Sequence, residues 1–241
     1  MKLIGITGKS GSGKTTLANL IGEHDNVGVI HIDDLLNQFK EDMLSSIMDT
    51  DADGKPTLVK KNHRKLVYTN KYFFLTYIKL ESIVLDKKIK DKIKEYEDSG
   101  KDIVVIENVY LKFFSIFKDL DMKIMLSRPY SKRLDSVLKR DEKKNIDKES
   151  FVLRDIPFKK SFYKYKKEDY DMIIPNESLD KMKEKADEIY STVNTKSKNP
   201  NRAKLTKKYK FRANPLSKID IQTQKGNDET IRWNHMIKRD C

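Results

Sequence analysis

Apolar residues in this chain follow two rhythms. Short, nearly unbroken runs recur at Lys2-Leu-Ile-Gly-Ile-Thr7, Val27-Gly-Val-Ile-His-Ile32, Ile103-Val-Val-Ile106, Lys123-Ile-Met-Leu-Ser127 and Asp171-Met-Ile-Ile174. A strand covered on both faces of a parallel sheet needs apolar side chains on both sides, so such runs predict five buried strands. Between them the apolar positions recur at helical spacing. Leu17, Leu20 and Ile21 share one side of a helix over Thr16–Ile21, and Leu35, Leu36 and Phe39 mark a second. Tyr68 to Ile78 is an aromatic helical stretch. Leu80 to Ser99 is the clearest helix, with Leu80, Ile83, Val84, Ile89, Ile93 and Tyr96 predicted inward and Gly100 as its C-cap. A helix from Tyr130 carries Arg133, Leu134, Val137, Leu138 and Arg140, and the next carries Arg154. Ser178 caps a last helix to about Thr192, with Leu179, Met182, Ala186, Ile189 and Tyr190 inward. Strand and helix alternate throughout. That order predicts an α/β fold with a doubly wound parallel sheet of about five strands flanked by helices.

Length and charge divide the chain in two. Residues 1–193 suffice for one α/β domain. Of the net charge of +13, Asn194–Cys241 supplies nine, from 13 Lys and Arg against 4 Asp and Glu. Residues 194–241 are therefore expected to be a basic C-terminal extension. Tyr209, Phe211 and Trp233 dot it, so docking to nucleic acid is an available reading, and a solvated charge run is the commoner one. No run reaches 18 apolar residues, so no membrane span is expected. The first strand begins at Lys2, so no secretory leader is expected either. The single cysteine, Cys241, excludes a disulfide framework within the chain and fits a reducing cytoplasm.

Candidate chemistry begins between the first strand and the first helix. Gly8-Lys9-Ser10-Gly11-Ser12-Gly13-Lys14-Thr15 has the spacing G-x-x-x-x-G-K-[ST] of a phosphate-binding loop, and Thr16 continues into the helix. Glycines let the backbone close around a polyphosphate with its N–H groups inward. Lys14 can reach the β- and γ-phosphates of ATP, and the Thr15 hydroxyl can join a Mg²⁺ shell. Asp33 and Asp34 follow the second strand, at the edge where ligands bind in open α/β sheets. Asp33 is assigned to chemistry, as a base for a substrate hydroxyl or a Mg²⁺ partner, and Asp34 to capping the next helix or supporting the metal. Glu107 ends the third run, the place of a carboxylate that holds Mg²⁺ through water. Phosphoryl transfer needs positive charge over the transferred group, and Arg133 and Arg140, seven apart on one helix, are preferred for a lid over Arg64 and Arg154. Asp49-Thr-Asp-Ala-Asp-Gly54 begins like a calcium loop, but Lys60 stands where the last ligand belongs, so it is read as a polar turn. Asn176-Glu-Ser178 matches a glycosylation sequon and is attributed to chance.

The phosphate loop, Asp33-Asp34, Glu107 and the arginine-bearing helix together resemble small P-loop kinases of the nucleoside and nucleotide kinase superfamily. Over residues 1–193 the layout resembles dephospho-coenzyme A kinase. The likeness rests on Ile32-Asp33, Asp53-Gly54 and His63-Arg64-Lys65-Leu66, on Leu80-Glu81-Ser82-Ile83, and on Arg133-Leu134 with Arg140-Asp141. It extends to Tyr170-Asp171 and Pro175-Asn176-Glu-Ser178-Leu179. The loop itself, with Thr15-Thr16, is similar to that of uridine kinase, and Leu85-Asp86 stands where the first family has His-Pro. The resemblance implies ATP as donor and Mg²⁺ as cofactor, with Arg133 and Arg140 at the nucleotide. It implies Asp33 as base for a ribose 3′-hydroxyl, and Lys14, Arg140 and Mg²⁺ as stabilisers of the transferred group. Dephospho-coenzyme A is the first acceptor and a pyrimidine nucleoside the second. A nucleic-acid kinase docking through residues 194–241 and a nucleotide-sensing switch are further readings. The chain lacks the Asn-Lys-x-Asp stretch of guanine-specific switches.

Overall fold

The computed structural model describes residues 1–47, 60–141 and 148–195. The stretch 49–54 and the extension beyond residue 195 lie outside them, and for Arg64 and Arg140 the description covers the backbone alone. The described strands are β1 (Lys2–Gly8), β2 (Val27–His31), β3 (Ile103–Glu107), β4 (Met122–Ser127) and β5 (Met172–Pro175). They form one all-parallel sheet in the order β2-β3-β1-β4-β5. The described helices are α1 (Lys14–Gly22), α2 (Ile32–Ile47), α3 (Lys60–Thr69), α4 (Lys71–Asp98), α5 (Tyr130–Asp141), α6 (Lys148–Lys159) and α7 (Leu179–Thr195). This is the parallel α/β sheet that the run pattern predicts, and with the phosphate loop between β1 and α1 it is the P-loop NTPase fold. β1 lies at the centre, and its two neighbours, β3 and β4, carry the chain away in opposite directions. The crevice at such a switch point is where open α/β sheets bind ligands.

Alternation along the strands assigns the two faces. Ile4 and Ile6 of β1 join Ile103 and Val105 of β3 under Leu17, Ile21, Met182 and Ile189 of α1 and α7. Leu3, Val104 and Ile106 point the other way, against Leu85, Ile89 and Ile93 of α4. A third cluster, around Phe74, Tyr110 and Tyr163, ties α4 to the segments that follow β3 and α6. Its edge-to-face pairs, Phe74 with Tyr110 at 5.1 Å and Tyr110 with Tyr163 at 5.5 Å, anchor the backbone just beyond Glu107.

The long helix differs from expectation. The aromatic stretch read as Tyr68–Ile78 is cut at Asn70, whose side chain accepts from the Tyr72 and Phe73 amides at 3.0 and 3.3 Å and so caps α4. The buried seam of α4 then runs Phe74, Ile78, Ser82, Leu85, Ile89, Ile93. Leu80 and Ile83, predicted inward, are 57% and 56% exposed, and Val84 is exposed beside them. A polar residue on the seam conceals the true stripe. Ser82 satisfies its hydroxyl by donating to the Lys79 carbonyl at 2.8 Å. Gly100 takes the left-handed conformation its C-cap role requires (φ 80°). Leu179, also predicted inward, is exposed, and Val193 takes a place in the α7 seam. α2 starts at Ile32, so Asp33 and Asp34 both lie in its first turn and neither caps it from outside.

Candidate active site

The phosphate loop leaves β1 at Gly8 and enters α1 at Lys14. Gly11 and Gly13 have φ of 76° and 98°, and a Cβ at Gly13 would run into the Asn176 side chain. Three side chains from distant elements hold the loop by its carbonyls. Asn176 Nδ2 donates to Ser12 at 2.9 Å, Arg133 Nη1 to Ser10 at 2.9 Å, and Arg128 Nη1 to Gly11 at 3.4 Å. α1 begins with no side-chain cap, which leaves the positive end of its dipole to an anion. The loop backbone is thus fixed by the protein, and the loop lines a cleft of about 510 Å³. Ser10, Gly11, Gly13, Lys14, Thr15 and Thr16 line this cleft, as do Asp33 and Glu107. Lys9 and Ser12 face a second cavity instead.

The carboxylates stand opposite the loop because β1, β2 and β3 end together. Register places His31 beside Glu107 and Ile6 beside Glu107 on its other flank. The Thr15 hydroxyl donates to Glu107 Oε1 at 3.2 Å, and His31 Nδ1 lies 3.1 Å from the same oxygen. The other ring nitrogen, Nε2, meets Asn19 Oδ1 at 3.1 Å. With an oxygen at each end, the imidazolium form satisfies both contacts. The hydrogen bond to Glu107 raises the His31 pKa against the cost of burial. Burial pushes Glu107 up, but the His31 hydrogen bond and the Lys14 charge outweigh it and leave its carboxyl below the ordinary value. Asn108 Nδ2 donates to Asp33 Oδ1 at 2.9 Å, while its own Oδ1 accepts from the Tyr110 amide at 2.7 Å. Asp33 opens onto the cleft, so solvent reaches it. The surrounding protein and the Glu107 charge still raise its carboxyl pKa, opposed by Lys14 and Arg154.

The arginines are rearranged relative to expectation. Arg133 is 3% exposed and forms a two-bond ion pair with Asp155, with Nη1 to Oδ1 at 2.9 Å. It grips the loop through Ser10 rather than standing over the phosphates as a movable lid charge. Its place on the α5 face toward α6 buries it. Arg154 lines the cleft with Asp33 and Thr15, as Arg128 does. The Arg140 side chain lies outside the described residues. His31, Asn108 and Arg128 form part of the site without being singled out by sequence, and Asn176 entered only through the resemblance. His31, Asn108 and Arg128 sit at or just past a strand end, and that shared position was the available signal.

Residues present fit Mg²⁺. Thr15 Oγ1 and a Glu107 carboxylate oxygen lie together, and Asp33 faces the same cleft. These are hard oxygen donors, too few for an all-protein cage, as suits an ion shared with phosphates and water. No group of three or more His, Cys, Asp or Glu side chains placed to hold a metal ion occurs among the described residues.

Comparison with known proteins gives a matching family, described as an AAA domain, over residues 4–157. Among solved structures, TT1252 from Thermus thermophilus is similar with a TM-score of 0.59 at 19% identity, covering 81% of this chain and 98% of that one. Shikimate kinase from Acinetobacter baumannii in complex with shikimate gives 0.45 at 14%, covering 87% and 96%. Dephospho-CoA kinase from Campylobacter jejuni gives 0.43 at 15%, covering 80% and 97%. At 19% identity the likeness to the Thermus thermophilus protein is one of fold. Comparison with curated proteins gives no match.

Proposed function

The chain belongs to the AAA-domain family, and from that premise we propose that it is an ATP-dependent phosphotransferase acting on a hydroxyl of a nucleotide-like small molecule. One observation carries the reading. Asp33, fixed by Asn108 and raised in pKa, shares a cleft with Lys14, Thr15 and the open N-terminus of α1. A nucleotide-sensing loop needs the phosphate cradle alone. A carboxylate held across from it suits proton removal from an acceptor.

In this reading the loop N–H groups and Lys14 hold the β- and γ-phosphates of ATP. Asp33 accepts the proton of the acceptor hydroxyl as its oxygen bonds to the γ-phosphorus and the bond to the β-bridging oxygen breaks. Lys14 and Arg154 balance the charge spread over the transferred group. Thr15, Glu107 and Asp33 would hold Mg²⁺, which when bound neutralises phosphate charge. His31 keeps Glu107 ionised and oriented toward Thr15.

Dephospho-coenzyme A, through its ribose 3′-hydroxyl, is the first acceptor proposed, on the resemblance along residues 1–193. Uridine or cytidine is the second, on the Gly13-Lys14-Thr15-Thr16 loop. No described helix is long and apolar enough to cross a membrane, and a cytoplasmic site of action is proposed with the activity. The test is acceptor-dependent ADP release from Mg-ATP with dephospho-coenzyme A, uridine, cytidine and a 5′-hydroxyl oligonucleotide. Turnover with the oligonucleotide alone would transfer the reading to a nucleic-acid kinase using residues 194–241. Asp33→Asn is expected to lower turnover at least about 100-fold while ATP binding stays within about threefold. Undiminished turnover would remove Asp33 as the base.

A further inference from the structure

A second cavity, of about 590 Å³, lies against the phosphate loop on the side that Lys9 and Ser12 face. It shares only Arg128 with the catalytic cleft. Its volume is that of a small-molecule site. Met125, Leu126, Tyr130 and Tyr165 give it apolar walls. Its charges are Lys9, Arg128, Arg133 and Lys159 against the single carboxylate of Asp155. Both oxygens of that carboxylate accept from Arg133. Three donors on this wall have no protein hydrogen-bond partner among the described residues: Ser12 Oγ, Arg128 Nε and Arg133 Nε. Ser12 and Arg133 are 0% and 3% exposed. Buried polar groups are ordinarily paired, so three orphan donors on residues that line one cationic cavity add to its surplus of positive and donor character. Lys9 lies over the Phe158 ring at 4.9 Å, and burial lowers its pKa against the pull of Asp155. The uncompensated positive charge is therefore costly to the free protein.

We propose that this cavity binds a small organic anion, an apolar or aromatic body carrying a carboxylate or a phosphate, at a site separate from the nucleotide. The body lies between Tyr130, Tyr165 and Met125, and the anionic group meets Lys9, Lys159 and Arg128. The site is wired to the loop. Arg133 holds the Ser10 carbonyl, and Arg128 holds Gly11 and bonds Ser136 at 2.8 Å on the way to the catalytic cleft. An anion that engages these guanidinium groups changes the grip on the phosphate loop, so occupancy modulates nucleotide affinity.

The test uses the full chain labelled with ¹³C in its methionine methyl groups and saturated with Mg²⁺ and a non-hydrolysable ATP analogue, so that the phosphate loop is filled. Met125 lines the second cavity and Met182 the catalytic cleft, so the two methyl signals report the two sites separately. Phenyl phosphate and benzoate are the anionic probes, and benzamide is the neutral isostere of the latter. Saturable shifts at Met125 with Met182 unmoved are expected for at least one anionic probe and not for benzamide. A phosphate-only response assigns a phosphorylated ligand, and a benzoate response a carboxylated one. Lys159→Glu, on an exposed position, is expected to weaken the anionic probe about tenfold. No saturable shift at Met125 with either anion would overturn the proposal. So would equal binding of benzamide, or unchanged affinity in K159E. The readout is binding, so absence of kinase turnover leaves this test standing.

Discussion

At the scale of single residues, the site depends on pairs that fix charges rather than on isolated reactive groups. His31 and Glu107 are the clearest. The raised His31 pKa makes the pair's contribution complete below the unfolded value of 6.5, and it is lost as pH rises through the folded value. The lowered Glu107 pKa makes its contribution complete above the unfolded value of 4.5, and it is lost as pH falls through the folded value. The pair therefore stabilises most between these two limits. Thermal unfolding of wild type and His31→Gln from pH 3 to pH 9 should show a difference in Tm that peaks near pH 5–6 and shrinks on both sides. A difference that is flat with pH would mean that His31 acts by packing and not by charge. His31 and Asn108 were illegible in the sequence because neither belongs to a motif. Both matter only because neighbouring strand ends stand side by side.

At the scale of elements, α4 shows where pattern reading succeeds and where it slips. Its existence, its C-terminal glycine and the inward Ile89 and Ile93 follow from spacing. Its rotation does not, because Leu80, Ile83 and Val84 offer a second plausible stripe and Ser82 disguises the true one. The seam follows Leu85, which is fully buried, and not Ile83. Leu85→Ala is expected to cost about 2–5 kcal/mol in denaturant unfolding. Ile83→Ala should change stability by less than about 1 kcal/mol. Equal losses would place the seam where the sequence first put it. The segments around α5 and α6 teach a related point. Arg133 and Arg154 look equivalent as letters, yet one is sealed against Asp155 and the other lines the cleft.

At the scale of the whole molecule, Arg133 joins α5 to α6 through Asp155, 22 residues on, and to the phosphate loop through Ser10, 123 residues back. Removing one partner strands a buried charge, so Arg133→Met alone is expected to cost about 3–5 kcal/mol and to raise the KM for ATP through the freed Ser10 carbonyl. Asp155→Leu added to it should recover most of the stability, because the desolvated charge goes with it. It should not recover the KM. Full recovery of both would make the pair a packing element with no hold on the loop. The sequence by itself determined the strand runs, the parallel α/β class, the phosphate loop and the carboxylates at strand ends. Each of these is a local pattern of polarity or a motif whose chemistry is carried by adjacent residues. Only the tertiary structure decided that Arg154 lines the cleft while Arg133 is buried, which face of α4 is buried, and that Asn176 and Arg128 hold the loop. Those contacts join residues more than a hundred positions apart, and their geometry follows from strand order and helix packing, which no local pattern encodes.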